Sequence, residues 1–453
     1  MPPSADDEKR LLGSVSVLLG RSMAWRDGSL RTQMTDCATT AVLLSTAAAN
    51  FLITVCSALK FYLDPPEETE KASQAAFLLT VSIPNAVKGI SLTRQRTRLQ
   101  QVVACLLVMR RAVQDGAGRR RLYARSANLV GNMWMIMGVM AGMIWAVDPL
   151  LSEPPPLNGT SPDPALPLPV WLPFDGNAPD TYSLTFALEA VVFAWVVFSA
   201  MCVDVLYITL IINVAAELHV LNDNVEITGN GADVVGHSNR KIGEVHHVGA
   251  SRAGATRDGS AVIPNFPSAQ FAAVKLLTPA YSPGYFEVYR SEGNDTYRLL
   301  VKNIQHHQLI IKCVNEFQKA TGTPVLFVVA INVLNLCSNI ISLAALLEKD
   351  PRASTVVKSL VGCLGFVIET AIYCLPGQMI IDQSERLVHS AYSCHWPDTD
   401  GRFKSSLLIF MVRAGQPLRL RVGKLITISR ETYQELMKLS YQLFNLVYQL
   451  QSS

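Results

Sequence analysis

The stretch that decides the fold begins with YCLPG at 373–377, which closes an apolar run. A polar segment follows, with DQSER at 382–386 and SAYSCHW at 390–396, and then an amphipathic run at 426–450. An apolar helix of about 20 residues is long enough to cross a bilayer. This order predicts a membrane protein in which an apolar span, a polar segment and a helix of mixed character follow one another.

The composition of the whole chain also indicates a membrane protein. Apolar residues make up 49% of the chain, and charged residues only 17%. A soluble domain usually carries about 25% charged residues. Seven segments are long enough to cross a bilayer, and the last is the least apolar. They lie at 34–63, 72–93, 126–147, 183–213, 323–347, 355–381 and 426–450.

The distribution of positive charge predicts the orientation of these spans. The connection 94–125 carries nine arginines, whereas the connection 148–182 carries no Lys or Arg. Since loops rich in Lys and Arg stay on the cytoplasmic side, the first is cytoplasmic and the second extracellular. Counting outward, the N-terminus lies inside and the C-terminus outside. The glycosylation sequon at 158–160 falls on the predicted outside, and a second sequon at 294–296 falls inside and should be unused.

A polar stripe runs along the last predicted helix. Its members recur every three to four residues: Gln434, Lys438, Gln442, Asn445 and Gln449. Lipid cannot satisfy such side chains, so the stripe must face water or another polar surface. From the pattern alone, a pore lining and a seam of hydrogen bonds between helices are equally good interpretations.

The third predicted span carries a face with two small residues between two indoles. Trp134, Gly138, Ala141 and Trp145 follow the spacing of one helix face, which leaves a hollow. Methionines crowd the same helix, and their adaptable side chains suit a loosely selective apolar pocket. They are Met133, Met135, Met137, Met140 and Met143. Ordinary helix packing remains the alternative for any single one.

Other polar motifs give no sign of catalysis. The long polar segment 222–294 includes a run from 229 to 260 that buries little apolar surface, which predicts disorder. The pairs His246-His247 and His306-His307 are expected on solvated or helix-surface positions rather than at a metal. Cys394 and His395 are expected to serve packing. We find no nucleophile set, carboxylate pair or nucleotide signature, and the chain is not expected to be an enzyme.

The C-terminal motifs, together with the proline-rich LPLPVWLPFD at 166–175, resemble the insect odorant receptors, which are ligand-gated cation channels of olfactory neurons. The resemblance covers most of the chain in topology and roughly 370–450 in residue pattern. Thr432-Tyr433 is typical of the related gustatory receptors, but Leu439-Ser440 stands where those receptors have Gln-Phe. The long cytoplasmic loop and the motif 390–396 are similar to the olfactory co-receptor.

The resemblance implies an all-α membrane protein with seven transmembrane helices and a helical cytoplasmic anchor layer, assembled as a tetrameric channel with a central pore. Four parts are expected. They are a cytoplasmic segment at 1–33, helices one to six with an odorant pocket at 34–381, a cytoplasmic anchor region at 382–425, and the pore-lining helix with a short extracellular tail at 426–453. The loop 166–175 should fold as a lid over the bundle.

The resemblance also implies site residues. An aliphatic gate falls on Leu446, where four copies block ions by dewetting, with Asn445, Gln442 and Gln449 in the wetted pore and Lys438 at a wide vestibule. Odorant contacts are expected at Trp145, Ala141, Gly138, Met137, Phe77, Leu78, Phe186, Ala190, Val357, Leu360 and Val361. Tyr392 and Trp396 are expected to anchor the subunit interface, with solvated helix ends as the alternative for this layer.

The implied partners are volatile odorants, the lipid bilayer, monovalent and divalent cations, and either identical subunits or the odorant receptor co-receptor. No cofactor, metal or nucleic acid is implied, and the expected location is the plasma membrane of olfactory sensory neurons. A gustatory receptor channel and an obligate co-receptor subunit remain alternatives. A seven-span G-protein-coupled receptor has the opposite orientation, and a transporter would use intramembrane acids such as Glu189 and Glu369.

Overall fold

The computed structural model describes residues 11, 30–63, 69–151, 166–168, 170–174, 180–228, 295–347, 353–423 and 425–452. In these ranges the chain is almost entirely helical, so the prediction of a mostly helical fold is confirmed. The helices are α1 Leu30–Leu63, α2 Thr69–Arg94, α3 Arg96–Ala112, α4 Arg119–Leu151, α5 Tyr182–Glu226, α6 Asp295–Leu347, α7 Ala353–Ser393, α8 Gly401–Ala414 and α9 Arg430–Ser452. The strands β1 Arg421–Val422 and β2 Ile426–Thr427 form a small antiparallel hairpin before α9.

Among the described residues, five helices are long and apolar enough to cross a membrane. These stretches lie in α1, α4, α5, α6 and α7. The helix α6 alone has 53 residues, which corresponds to roughly 80 Å, against a bilayer core of about 30 Å. Residues 297–321 therefore form one continuous helix with the apolar run that follows them. After α2, a turn at Gln95 makes the continuation of the chain a separate helix, α3.

The helices α5, α6 and α7 form the centre of the bundle. Helix α5 packs against α4 and α7 most extensively, and also against α6, α3, α2 and α1. From Cys202 to Leu218 every side chain of α5 is buried. A helix that is apolar around most of its circumference is either buried in protein or faces lipid, and neighbouring helices cover this part of α5. The second half of α5 thus lies inside the bundle, whereas its first half has exposed apolar side chains such as Leu184 and Leu188.

Buried charged side chains link α5 and α6 to neighbouring helices, in the part of α5 and α6 that lies beyond their apolar halves. Glu217 is fully buried and accepts two hydrogen bonds from Arg120, from Nε at 2.9 Å and Nη2 at 2.7 Å. His306 Nε2 lies 3.1 Å from the same carboxylate. Burial lowers the pKa of the nearby Arg110 guanidinium, and the charge of Glu217 opposes that shift. Arg110 remains charged, because arginine titrates far above neutral pH.

The prediction that His306 and His307 lie on a solvated helix surface is wrong, because both are buried. His306 pairs with Glu217, and the ring of His307 meets Phe410 edge-on with centroids 5.4 Å apart. The carboxylate that partners His306 comes from another helix, so sequence spacing does not reveal it. The described residues contain no group of three or more side chains suited to a metal. His246 and His247 lie outside the described residues, as do 229–260.

The last helix begins later than predicted. Residues 426–427 form β2 rather than the first turn of a helix, and α9 begins at Arg430. The Ser429 hydroxyl accepts a hydrogen bond from Thr432 N at 3.2 Å, which caps the helix at this position. Gly423 turns the hairpin with φ +58°, a left-handed conformation that glycine adopts without strain.

The proline-rich loop packs on the bundle, as predicted for a lid. Leu168 is buried against Ile53 and Val196, which belong to α1 and α5. Its backbone N–H donates to Glu189 Oε2 at 3.1 Å, and Trp171 N donates to the Cys56 carbonyl at 3.1 Å. Glu189 therefore holds the loop on the bundle through this hydrogen bond.

Candidate functional site

A cavity of about 170 Å³ lies between α2, α4, α5, α6 and α7. Apolar cavities of about 150 Å³ hold molecules the size of benzene, so this one is large enough for a small organic ligand. One end, here called the Trp145 end, is lined by Leu78, Trp145, Phe193 and Val361. The other, called the Trp134 end, is lined by Lys88, Trp134, Asp204, Asn332, Asn335 and Glu369.

Small residues let α4 approach α5 beside the cavity. A Cβ placed on Gly138 would lie 2.8 Å from Met201 Sδ, and one on Gly131 would lie 2.9 Å from Val205 Cγ1. Trp145 closes the other end, with its ring 6.2 Å from that of Phe193 and Lys358 Nζ 5.1 Å from its centre. The ammonium over the indole is an attractive contact that helps hold Trp145 in place.

The structure brings together six of the residues predicted from the sequence to contact an odorant. Those that line the cavity are Leu78, Met137, Gly138, Ala141, Trp145 and Val361. The remaining predicted residues that the structure describes are not part of this lining: Phe186, Ala190, Val357 and Leu360. The side chain of Phe77 lies outside the described part of the chain. The assignment of these residues to odorant binding stays a prediction.

Sequence reasoning missed the charged cluster at the Trp134 end. Lys88 Nζ lies 2.7 Å from Asp204 Oδ1 and 2.9 Å from Glu369 Oε1. The Tyr373 hydroxyl donates to Asp204, and Asn332 Nδ2 donates to Glu369 Oε2 at 3.2 Å. Lys88 and Asp204 are ionisable residues inside apolar segments, a pattern that by itself indicates a functional site. Of the charged members of this cluster, the sequence pattern indicates only Glu369.

The polar stripe of α9 faces away from the bundle. Helix α9 packs on α6 and α7 with a face that includes the buried Ser440, whereas Gln434, Lys438 and Gln442 are exposed. Leu446 beside the stripe is 54% exposed, Gln449 is exposed and Asn445 is half-buried. The stripe and Leu446 are thus accessible to water or to further subunits, and their role in a pore stays a prediction.

The hairpin before α9 is wedged between the two helices that carry α9. A Cβ on Gly377 in α7 would lie 2.5 Å from the Ile428 carbonyl oxygen, so the backbones touch. The Gln378 side chain accepts from Arg430 N at 3.1 Å. On the α6 side, Gln318 Oε1 accepts from Arg421 N at 3.1 Å. The hairpin therefore ties the start of α9 to both helices.

The segment after α7 presents apolar side chains on its surface. Tyr392 is exposed and its ring lies 6.5 Å from that of Trp396, and three aliphatic residues of α8 are also exposed, Leu408, Ile409 and Val412. Cys394 is buried, and burial raises the pKa of its thiol. A thiol with a raised pKa is a poor nucleophile, in keeping with a packing role.

The fold and the cavity define an α-helical membrane protein with a cavity between its helices that is large enough for a small ligand. A sequence model described as 7tm Odorant receptor matches residues 68–441. The chain belongs to the 7tm odorant receptor family. Members of this family are receptors, and the chain is not an enzyme.

Individual relatives are distant. The chain is similar to Odorant receptor 85c of Drosophila melanogaster, with 24% identity over 36% of this chain and 40% of that protein. It is also similar to Odorant receptor 10 of Aedes albopictus, with 27% identity over 33% of this chain and 38% of that protein. The chain thus spans less than half the length of these curated relatives.

The fold is similar to that of the insect olfactory receptor OR5 from Machilis hrabei. The TM-score is 0.66 at 14% identity, over 96% of this chain and 97% of that chain. A structure of the same receptor in complex with eugenol gives a TM-score of 0.69 at 13% identity, over 99% of this chain and 100% of that chain. These similarities concern the fold. The family predicted from the sequence is confirmed by the match of the family model.

Proposed function

We propose that this chain is a subunit of a tetrameric, odorant-gated, nonselective cation channel that binds volatile organic molecules in the cavity described above. It has seven spans, with the N-terminus inside and the C-terminus outside, in the plasma membrane of olfactory sensory neurons. Four subunits, either identical or including the odorant receptor co-receptor, surround one pore that conducts monovalent and divalent cations.

The observation that carries this proposal is that α9 packs on α6 and α7, two of the five helices that line the cavity. The segment between the hairpin and α9 packs so closely on Gly377 that its backbone is in direct contact with α7. A ligand that changes the spacing of α6 and α7 therefore has to move α9. Close-packed interfaces transmit such shifts because they cannot be compressed.

The exposed face of α9 supports the pore. In lipid, Gln434, Lys438 and Gln442 would lack hydrogen-bond partners, whereas four copies of the helix around an axis place them in water. Leu446 borders the stripe, and a ring of leucines closes a pore by dewetting. Lys438 lies eight residues before Leu446, about 12 Å along the helix, at a wider vestibule where its charge does not block cations.

The lining of the cavity supports an odorant as the ligand. Leu78, Met137, Ala141 and Trp145 offer dispersion and desolvation rather than directed bonds along most of its length. A volatile molecule has few polar groups and suits such a lining. Eugenol, bound by the Machilis receptor of similar fold, is a molecule of this kind.

Whole-cell current tests the proposal. Cells that express the chain alone are exposed to a panel of volatile compounds, and an evoked, poorly selective cation current is expected. Current only after addition of the co-receptor would make the chain a tuning subunit. Absence of evoked current in both conditions, despite surface expression, would contradict the channel proposal for the compounds tested.

A further inference from the structure

The Trp134 end of the cavity carries polar atoms that have no partner. Asp204 Oδ2, Trp134 Nε1 and Asn335 Nδ2 are buried and lack a hydrogen-bond partner among the described residues. The three residues are only 1%, 3% and 3% exposed, respectively. All three line the cavity. Buried donors and acceptors are almost always paired in folded proteins, so three along one cavity lining indicate a polar partner in the cavity, either water or a group of a ligand.

Trp134 and Asp204 lie at the same level of the bundle. Gly131 meets Val205 and Gly138 meets Met201, as judged from the close approach of their backbones and side chains. Trp134 lies between the two glycines in α4, and Asp204 lies between Met201 and Val205 in α5. The indole donor and the carboxylate acceptor therefore belong to the same part of the cavity.

The position of Asn335 at this end follows from its neighbour in the charged cluster. It lies one helical turn after Asn332 in α6, and Asn332 donates to Glu369. Glu369 in turn binds Lys88, which binds Asp204 through Oδ1. Only Oδ2 of Asp204 remains for a ligand. The Trp134 end thus offers one charged acceptor and two neutral donors.

We propose that this end of the cavity binds the hydroxyl group of a neutral alcohol or phenol, whose apolar body extends toward Trp145. A hydroxyl donates one hydrogen bond and accepts two, which matches one acceptor and two donors. The bond to Asp204 is charge-assisted and is the strongest of the three. This inference rests on the proposed function, because it names the class of odorant that the cavity selects.

Other head groups fit this end less well. An ammonium group only donates, so it leaves the Trp134 and Asn335 donors unpaired. It would also lie close to Lys88, whose Nζ is 2.7 Å from the other oxygen of Asp204. A carboxylate would face Asp204, and an ether or a hydrocarbon gives Asp204 no donor at all.

The test compares four ligands of matched size: 1-octanol, 1-methoxyheptane, nonane and octylamine. Two readouts are used on the full chain, the current evoked in expressing cells and the thermal stabilisation of the purified protein. The alcohol is expected to act at a concentration about tenfold lower than the ether, the change expected for one hydrogen bond to a buried charged group. Nonane and octylamine should be weaker than the alcohol.

Two variants locate the hydroxyl within the cavity. Trp134→Phe removes the indole N–H and should weaken the alcohol and the ether, whose oxygen also accepts, roughly threefold while leaving nonane unchanged. Trp145→Phe, at the other end, should weaken the alcohol and nonane by the same factor. If Trp134→Phe fails to reach the surface, Asn335→Leu replaces it, with the same expectation.

The outcomes separate this inference from the proposed function. Equal action of alcohol and ether on the unchanged protein would overturn the inference, and so would octylamine acting best. Selective stabilisation of the purified protein by the alcohol without any evoked current would support the inference and count against the channel. Evoked currents without preference for the alcohol would leave the channel standing and remove the hydroxyl site.

Discussion

At the residue scale, the strongest constraint on α7 is the glycine of the YCLPG motif. In Gly377→Ala, the new Cβ would lie 2.5 Å from the Ile428 carbonyl, and backbone on both sides must shift. We expect a loss of about 1–3 kcal/mol, measured as a lower thermal midpoint of the purified protein. Gly365→Ala in the same helix is the control, because a Cβ there meets nothing within 4 Å. Equal midpoints for the two variants would contradict the proposed wedge.

A second prediction at this scale concerns Glu217. Glu217→Gln removes the buried charge that pairs with Arg120 and His306. Breaking a buried ion pair costs about 3–5 kcal/mol, so thermal stability and surface expression should fall sharply. Glu316→Gln is the control, since its partner Lys319 is 56% exposed and such surface pairs contribute at most about 1 kcal/mol. A Glu217→Gln protein as stable as the control would show that Glu217 is not a structural anchor.

The sequence predicts some residues of the site and not others, for physical reasons. The face of Gly138, Ala141 and Trp145 follows helical periodicity, and the structure places it on the cavity. Lys88 and Asp204 belong to helices distant in sequence, so their pairing depends on how the bundle packs. The partners of His306 and the unpaired Oδ2 of Asp204 also depend on how the helices pack. Residue spacing within one segment cannot predict such packing.

At the element scale, the proposed function makes the hairpin between α8 and α9 the element that couples α6 to α9. Gly423 has φ +58°, and an added Cβ would collide with the Leu326 side chain in α6. Gly423→Ala should therefore loosen the contact between the hairpin and α6, through a left-handed strain of about 1–2 kcal/mol plus the clash. We expect a smaller maximal odorant-evoked current with unchanged ligand stabilisation of the purified protein.

Gly415→Ala is the matched control for this coupling prediction. It lies in the same connection, has φ −63° and meets only ordinary contacts. Its evoked current should equal that of the unchanged chain. A Gly423→Ala protein with full current would show that the hairpin does not carry movement from α6 to α9.

The elements themselves were only partly predictable. Long apolar runs predict α1, α4, α5, α6 and α7 because helix length and hydropathy are local properties. The hairpin at 421–427 is not predicted, because strands of only two residues are too short to show an alternating sequence pattern. Its presence delays the start of α9 to Arg430, four residues later than hydropathy suggests.

At the scale of the whole molecule, orientation separates the proposed channel from a G-protein-coupled receptor. The arginine-rich connection 94–125 predicts a cytoplasmic N-terminus and an extracellular C-terminus. An epitope added after Ser453 should bind antibody on intact cells, and one added before Met1 only after permeabilisation. The reverse pattern of labelling would support the receptor with the opposite orientation.

The central claim, that α9 lines the pore of an odorant-gated channel, is tested most directly by cysteine accessibility. Gln442→Cys lies on the exposed polar stripe, and Ser440→Cys lies on the opposite, buried face. A charged thiol reagent applied during odorant-evoked current should remove most of the current through Gln442→Cys channels. It should leave the current through Ser440→Cys channels unaffected. Unblocked current through Gln442→Cys channels, or equal block of both, would contradict the account.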